Sequence, residues 1–335
     1  MITVVNLRTL LLLLLTLFGV GQQALADDMR PTSLSIQAES KTEFQIVFKV
    51  PTLGTKVIKL DVVFDKDTKE ASAKNSYYSA GSYVQTWKVK RETGMAGMTV
   101  TVKGMGRNST DVLLRIADSE GKNQTTVINA EKPVFEVPEN MEGKGAFLTY
   151  MNIGIEHILV GLDHLLFVSC LIFVSATAKT LLQTITGFTL AHSITLVLVT
   201  TFNLNLPIPP VEAVIALSII FLAWEIAKDK KDSLSLKYPV LVSSSFGLLH
   251  GFGFATVLGD IGLPEGARFT ALAAFNVGVE IGQILFVGVL CSLFILLAKI
   301  SERFTKARMR LTVSYGCGII ATVWFIERLQ VFPTV

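Results

Sequence analysis

The sequence predicts a polytopic α-helical membrane protein of about six transmembrane helices, carrying an N-terminal all-β, sandwich-like domain on its extracytoplasmic side. Three observations point there. The second half of the 335-residue chain holds six apolar segments, each near the length a bilayer demands. Residues 27 to about 143 instead alternate apolar and polar side chains with the period of half-buried strands. Ahead of both, residues 1–26 combine Arg8, the leucine run Leu10–Leu15 and Ala24-Leu25-Ala26, the layout of a secretory signal peptide and its cleavage site. The expected organisation is a signal peptide over 1–26, an exported β domain and linker over 27–143, and a six-helix membrane domain over 144–335.

Composition agrees with this division. Half of the residues are hydrophobic and the mean hydropathy is +0.53, too apolar for an ordinary soluble chain. A net charge of +3 gives no reason to expect a nucleic-acid partner. The three cysteines, Cys170, Cys291 and Cys317, all lie in apolar segments, so the exported domain must be held by a hydrophobic core and not by disulfides.

Within the β domain, Leu34/Ile36/Ala38, Phe44/Ile46/Phe48, Leu60/Val62/Phe64, Met98/Val100/Val102 and Val112/Leu114/Ile116 mark strands. Turn signals separate them, at Pro51–Gly54, Gly104–Asn108 and Asp118–Gly121. Met95, Met98 and Met105 could be soft-metal ligands but are expected to pack. Pro133 to Lys144 reads as a linker.

The apolar segments fall at about 146–176, 180–202, 210–227, 238–259, 268–299 and 310–329. If the first enters from the exported side, one set of loops carries Lys179, then Lys228, Lys230, Lys231 and Lys237, then Lys299, Arg303, Lys306, Arg308 and Arg310. The opposite set has Arg268 and Arg328, so the charge bias and the signal peptide agree on one orientation. The expected location is the inner (cytoplasmic) membrane, multi-pass, with the N-terminal domain exported.

The first apolar segment contains Glu156, His157, Asp163 and His164. An unpaired ionisable group in hydrocarbon costs on the order of 3 kcal/mol, so such groups are paired, hydrated or used. On a continuous helix Glu156 and Asp163 would form a carboxylate column and His157 and His164 an imidazole column, with Gly154 and Gly161 admitting a neighbouring backbone. All four histidines of the chain lie in apolar segments, the others being His192 and His250. Asn276, Glu280 and Gln283 follow at i, i+4 and i+7 in the fifth segment, beside Gly278 and Gly282. Imidazole with carboxylate suits nickel, cobalt or zinc. The candidate metal residues are therefore His157, Asp163, His164, His192, His250 and Glu280, supported by Glu156, Asn276 and Gln283. For Glu212 a helix start and for Glu225 the membrane interface explain an acid without a ligand role. Thr189, Ser193 and Thr195 can bond to their own helix backbone.

Five blocks in order resemble the HupE/UreJ family, in its branch with an exported N-terminal domain. They are Gly161–Phe167 (GLDHLLF), Phe188–Ser193 (FTLAHS), Val211–Ser218 (VEAVIALS), His250–Ala255 (HGFGFA) and Phe275–Gln283 (FNVGVEIGQ), within residues of about 150–290. The resemblance implies a nickel permease associated with hydrogenase or urease systems, with His157, Asp163 and His164 facing the metal, and His192 and His250 beside them. Five residues separate His157 from Asp163, whereas another family of nickel/cobalt permeases uses His-x4-Asp-His, so that second family's geometry does not transfer. The β domain is not part of a minimal permease.

Three readings stay open at this point. One is a permease for a divalent transition metal. Another is an intramembrane metal-dependent hydrolase with Glu156 or Glu280 as base, against which the absence of His-Glu-x-x-His counts. The third is a sensor or assembly protein whose β domain binds a protein partner and whose buried polar groups only specify helix packing.

Overall fold

The computed structural model describes residues 32–53, 56–79, 82–106, 111–119, 123–139, 144–202, 204, 207–230, 232–261 and 268–331. The signal-peptide expectation over 1–26 lies outside them. The chain divides into two compact units, one made mainly of residues up to Tyr150 and the other mainly of residues from Met151 onward.

The first unit is built of strands β1 (Thr32–Ala38), β2 (Glu43–Leu53), β3 (Lys56–Val57), β4 (Asp61–Phe64), β5 (Lys69–Glu70), β6 (Asn75–Ser79), β7 (Ser82–Lys90), β8 (Thr99–Lys103), β9 (Val112–Ala117), β10 (Asn123–Ile128) and β11 (Val134–Glu136). An eight-stranded sheet runs β10-β9-β1-β2-β7-β5, with β3 on β2 and β6 on β7, and a three-stranded sheet runs β11-β8-β4. The period-2 apolar sets become rows across the larger sheet, as Ile36 sits opposite both Ile46 and Ile116, and Ile46 opposite Trp87. All four are buried in one core with Val62, Val100 and Val102 of the smaller sheet. Burying each such side chain contributes about 1.5–3 kcal/mol, and with no disulfide available this shared core is what holds the two layers.

Methionines Met95 and Met98 belong to that core and Met105 packs against it, as expected of packing residues. The linker begins later than the sequence suggests. Val134–Glu136 pairs with β8, because Phe135 opposite Val100 finds apolar cover there. Asp65 ties the sheets at one end. Its carboxylate accepts the Thr68 hydroxyl at 2.7 Å and the Thr99 backbone N–H at 3.0 Å, and stands 3.3 Å from Nε of Arg91. Arg91 in turn donates to the carbonyls of Gly94 and Ala96, at 2.7 and 2.8 Å.

The second unit contains the helices α1 (Lys144–Val160), α2 (Leu162–Val174), α3 (Ala178–Phe202), α4 (Ile208–Lys228), α5 (Leu234–Lys237), α6 (Pro239–Ile261), α7 (Arg268–Ile300) and α8 (Lys306–Val331), the first of which starts in the other unit. Among the described residues, α3, α4, α7 and α8 are long and apolar enough to cross a membrane, and α1 with α2 forms a pair bent by 74° that can act as a fifth span. The Pro239–Ala255 part of α6 is apolar but shorter. About six transmembrane helices were expected, the first of them continuous; its residues form the bent pair α1 and α2 instead.

Helices α4 and α8 pack along their length and are joined by ion pairs at both ends. Glu212 meets Arg328 at 2.6 Å, and Asp229 meets Arg310. Asp229 lies seventeen positions after Glu212, a rise of about 25 Å, close to the thickness of a hydrocarbon core. Glu212 is thus paired across helices. Glu225, three residues from the end of α4, is buried and accepts the backbone N–H groups of Leu234 and Ser235, at 3.1 and 2.7 Å, at the start of α5.

Two further helix pairs approach through glycine. A Cβ on Gly154 would strike the Phe275 carbonyl and one on Gly278 the Met151 carbonyl, so α1 and α7 are in backbone contact. Gly247 and Gly251 likewise face the carbonyls of Phe188 and His192, bringing α6 against α3. Ser243 and Thr195 fasten that contact, donating to the carbonyls of Thr184 and Leu248 at 2.8 and 2.9 Å.

Candidate metal centre

Gly161 decides the local geometry. It has φ −66° and ψ 96°, ending α1 and preceding α2, and a Cβ there would lie 2.8 Å from the His157 carbonyl and 2.8 Å from Nδ1 of His164. The carboxylate and imidazole columns expected of one continuous helix therefore do not exist. The bend instead turns the rings of His157 and His164 onto each other, with centroids 4.6 Å apart. It also puts Asp163 in the first turn of α2, where the unsatisfied amides and the helix dipole favour a negative charge.

Around this corner α3 and α6 bring the other two histidines. His192 stands 6.3 Å from both His157 and His164 between ring centroids, and His250 stands 5.2 Å from His164. Two groups can each offer three ligand atoms within 4.8 Å of one another: His157, His164 and His192, and Asp163, His164 and His250. His164 belongs to both. All five side chains are buried, the most accessible being His157 at 7 %.

The polar contacts set which nitrogens carry lone pairs. Nδ1 of His164 lies 3.0 Å from Oδ1 of Asp163, and a carboxylate only accepts, so a neutral His164 carries its hydrogen on Nδ1 and its lone pair on Nε2. Nε2 of His250 lies 3.2 Å from Oγ of Ser218. Among the described residues neither ring nitrogen of His192 has a hydrogen-bond partner within ordinary distance. Phe167, Phe188, Phe254 and Phe275 enclose the rings, with His157 3.9 Å from Phe254 and His250 5.0 Å from Phe167 between centroids. An aromatic wall of this kind excludes water and strengthens electrostatic interactions inside it.

Not every expected residue joins the centre. Glu280 belongs to neither group. Its Oε1 accepts the Thr186 hydroxyl at 2.6 Å, and Thr186 sits six residues, about 9 Å of helix rise, from His192. Glu156 is exposed on α1. Gln283 is fully buried beside Thr189, whose hydroxyl lies 3.0 Å from its Oε1, while Asn276 donates to the Leu272 carbonyl at 2.8 Å. Thr189 and Thr195 thus reach across helices as well as to their own backbone, whereas Ser193 is bonded to the Thr189 carbonyl. Sequence reasoning missed Ser218 and Thr186. The available signal was a hydroxyl on an otherwise apolar helix, too common to single out. Cys170 and Cys317 are buried core residues.

A buried donor set of imidazoles with one carboxylate matches borderline divalent metals better than calcium or magnesium, which take oxygen. The family model described as HupE / UreJ protein matches residues 134–328, which include every residue of both groups. No curated protein and no solved structure matches the chain. With a match over more than half of its length, the chain belongs to the HupE/UreJ protein family.

Proposed function

We propose that the protein is a membrane permease for a divalent transition metal, nickel or cobalt, and that the ion passes through the centre formed by His157, Asp163, His164, His192 and His250. The observation that carries this reading is the sharing of His164 by two ligand groups in one enclosed site. An ion entering such a site exchanges part of its hydration shell for neutral imidazoles, while Asp163 offsets part of its charge. Overlapping groups let one ligand be gained as another is lost, so the ion is never held by a closed four-coordinate cage. Release requires that binding stay moderate, and three-ligand groups suit that need. In this reading Glu280, bonded to Thr186 between α3 and α7, receives the ion next.

The orientation follows the charge bias. We propose an inner-membrane protein with its β domain exported, so that the ends of α4 and α8 bearing Asp229 and Arg310 face the cytoplasm. In this arrangement the β domain captures the ion or a protein partner outside.

The hydrolase reading needs a carboxylate base beside a metal-bound water. Among the described residues the carboxylate in the two groups is Asp163, which already accepts from His164. Radioactive nickel uptake into vesicles holding the full chain tests the permease reading. His164→Ala and Asp163→Asn should each lower uptake at least tenfold, and wild-type uptake in both would remove it.

A further inference from the structure

Ser218 on α4 and His250 on α6 are both almost fully buried, and Oγ of Ser218 lies 3.2 Å from Nε2 of His250. The same Oγ lies 2.6 Å from the Ile215 carbonyl oxygen of its own helix. A serine hydroxyl has one proton, and two oxygens that close must have a proton between them, which a carbonyl cannot supply. The Ser218 proton is committed to Ile215. Toward His250 the hydroxyl can act only as an acceptor, so Nε2 of His250 must carry hydrogen. In a neutral imidazole the lone pair then sits on Nδ1. That nitrogen is buried and has no hydrogen-bond partner among the described residues.

We infer that Ser218 is a positioning residue: it locks His250 in the Nε2–H tautomer and so presents the Nδ1 lone pair to the ion. The inference rests on the permease reading for what the lone pair meets, but the tautomer itself does not depend on it. The choice is opposite to that at His164, where Asp163 holds the hydrogen on Nδ1. The two rings that share a ligand group thus offer different nitrogens, each set by the partner of the other nitrogen, Asp163 at His164 and Ser218 at His250. Without the hydroxyl, nothing at the Ser218 position would hold hydrogen on Nε2, and a ring with its hydrogen on Nδ1 cannot ligate through that atom.

The test uses the full chain in lipid nanodiscs with ¹⁵N-labelled histidine. Ring-nitrogen NMR without metal reads the tautomer, and His250→Ala assigns the signals. Cobalt(II) titration by visible absorption reads affinity. The wild type should show His250 in one Nε2–H form. Ser218→Ala should show a mixture and bind cobalt about 10- to 100-fold more weakly, the range usual for loss of such a partner. Ser218→Thr, which keeps the hydroxyl, should restore both. An Nδ1–H form in the wild type, or an unchanged tautomer in Ser218→Ala, would overturn the inference. A shifted tautomer with cobalt affinity unchanged in both Ser218→Ala and His250→Ala would overturn the role of His250 as a ligand, which is a failure of the permease reading at that residue and leaves the locking of the ring intact.

Discussion

Nδ1 of His164 and Oδ1 of Asp163 stand 3.0 Å apart, although the two residues are sequence neighbours whose side chains would diverge by about 100° on a regular helix. The break at Gly161, just before them, turns His157 of α1 onto the same His164 ring. Asp163→Asn keeps the shape and an acceptor oxygen but removes the negative charge that strengthens the bond to the His164 ring and offsets the charge of an ion. Cobalt or nickel affinity of the purified chain should fall about 10- to 100-fold, with thermal stability nearly unchanged. Equal affinity with the wild type would contradict this account.

Because His164 belongs to both ligand groups and His192 and His250 to one each, the three alanine substitutions should not be equivalent. His164→Ala is expected to abolish measurable metal binding. His192→Ala and His250→Ala should each leave a weaker residual site. Calorimetric titration of the three variants measures this, and similar losses in all three would argue against two overlapping groups.

Gly278 and Gly154 place α7 and α1 backbone against backbone. A methyl at Gly278 has the Met151 carbonyl in its way, which is main chain and cannot rotate aside. Gly278→Ala should cost about 1–3 kcal/mol or more in stability, read as a lower unfolding temperature in detergent. Gly288, with open space where a Cβ would be, is the control, and Gly288→Ala should have little effect.

In the β domain, burial by itself would raise the pKa of Asp65, but the Thr68 hydroxyl, the Thr99 and Thr68 backbone groups and the Arg91 guanidinium outweigh it and hold the carboxyl below its ordinary value of 3.8. The folded value being the lower one, the ionised carboxylate contributes its full stability above the ordinary value and loses it as the pH falls through the folded value. Hydrogen exchange at the β8 amides should therefore accelerate as the pH drops below about 4 beyond the intrinsic trend. Asp65→Asn should be faster at neutral pH and lack that acid-dependent component.

Glu212 and Arg328 join α4 to α8 at one end of the bundle, with Asp229 and Arg310 at the other. Arg328→Glu should destabilise by setting two acids together. The exchanged pair Glu212→Arg with Arg328→Glu should recover much of the loss, and thermal unfolding of the three variants gives the coupling.

Much of the architecture could be read along the chain. Leu34, Ile36, Phe44, Ile46, Val112 and Leu114 alternate cleanly, and all prove to be core. β7 was not legible, because Val84 and Trp87 break the alternation: Val84 is buried opposite Lys49 while Trp87 is buried opposite Ile46, on opposite faces of one strand. The short pairs β5 and β6 are exposed, so no apolar pattern marks them. In the helical unit the histidines and Asp163 stood out because ionisable groups in apolar segments are costly. Glu280 stood out for the same reason, yet pairs with Thr186 outside both ligand groups.

Period and composition along the chain settled the β-then-helical organisation, the apolar segments and the identity of the buried imidazoles and acids, since local pattern and transfer cost act residue by residue. The packing around the bend at Gly161, the sharing of His164 by two groups and the meeting of Ser218 with His250 were decided by tertiary structure alone. They depend on which backbone lies against which glycine and which hydroxyl or carboxylate meets which ring. Those are relations between helices distant in sequence, and no spacing within one helix encodes them.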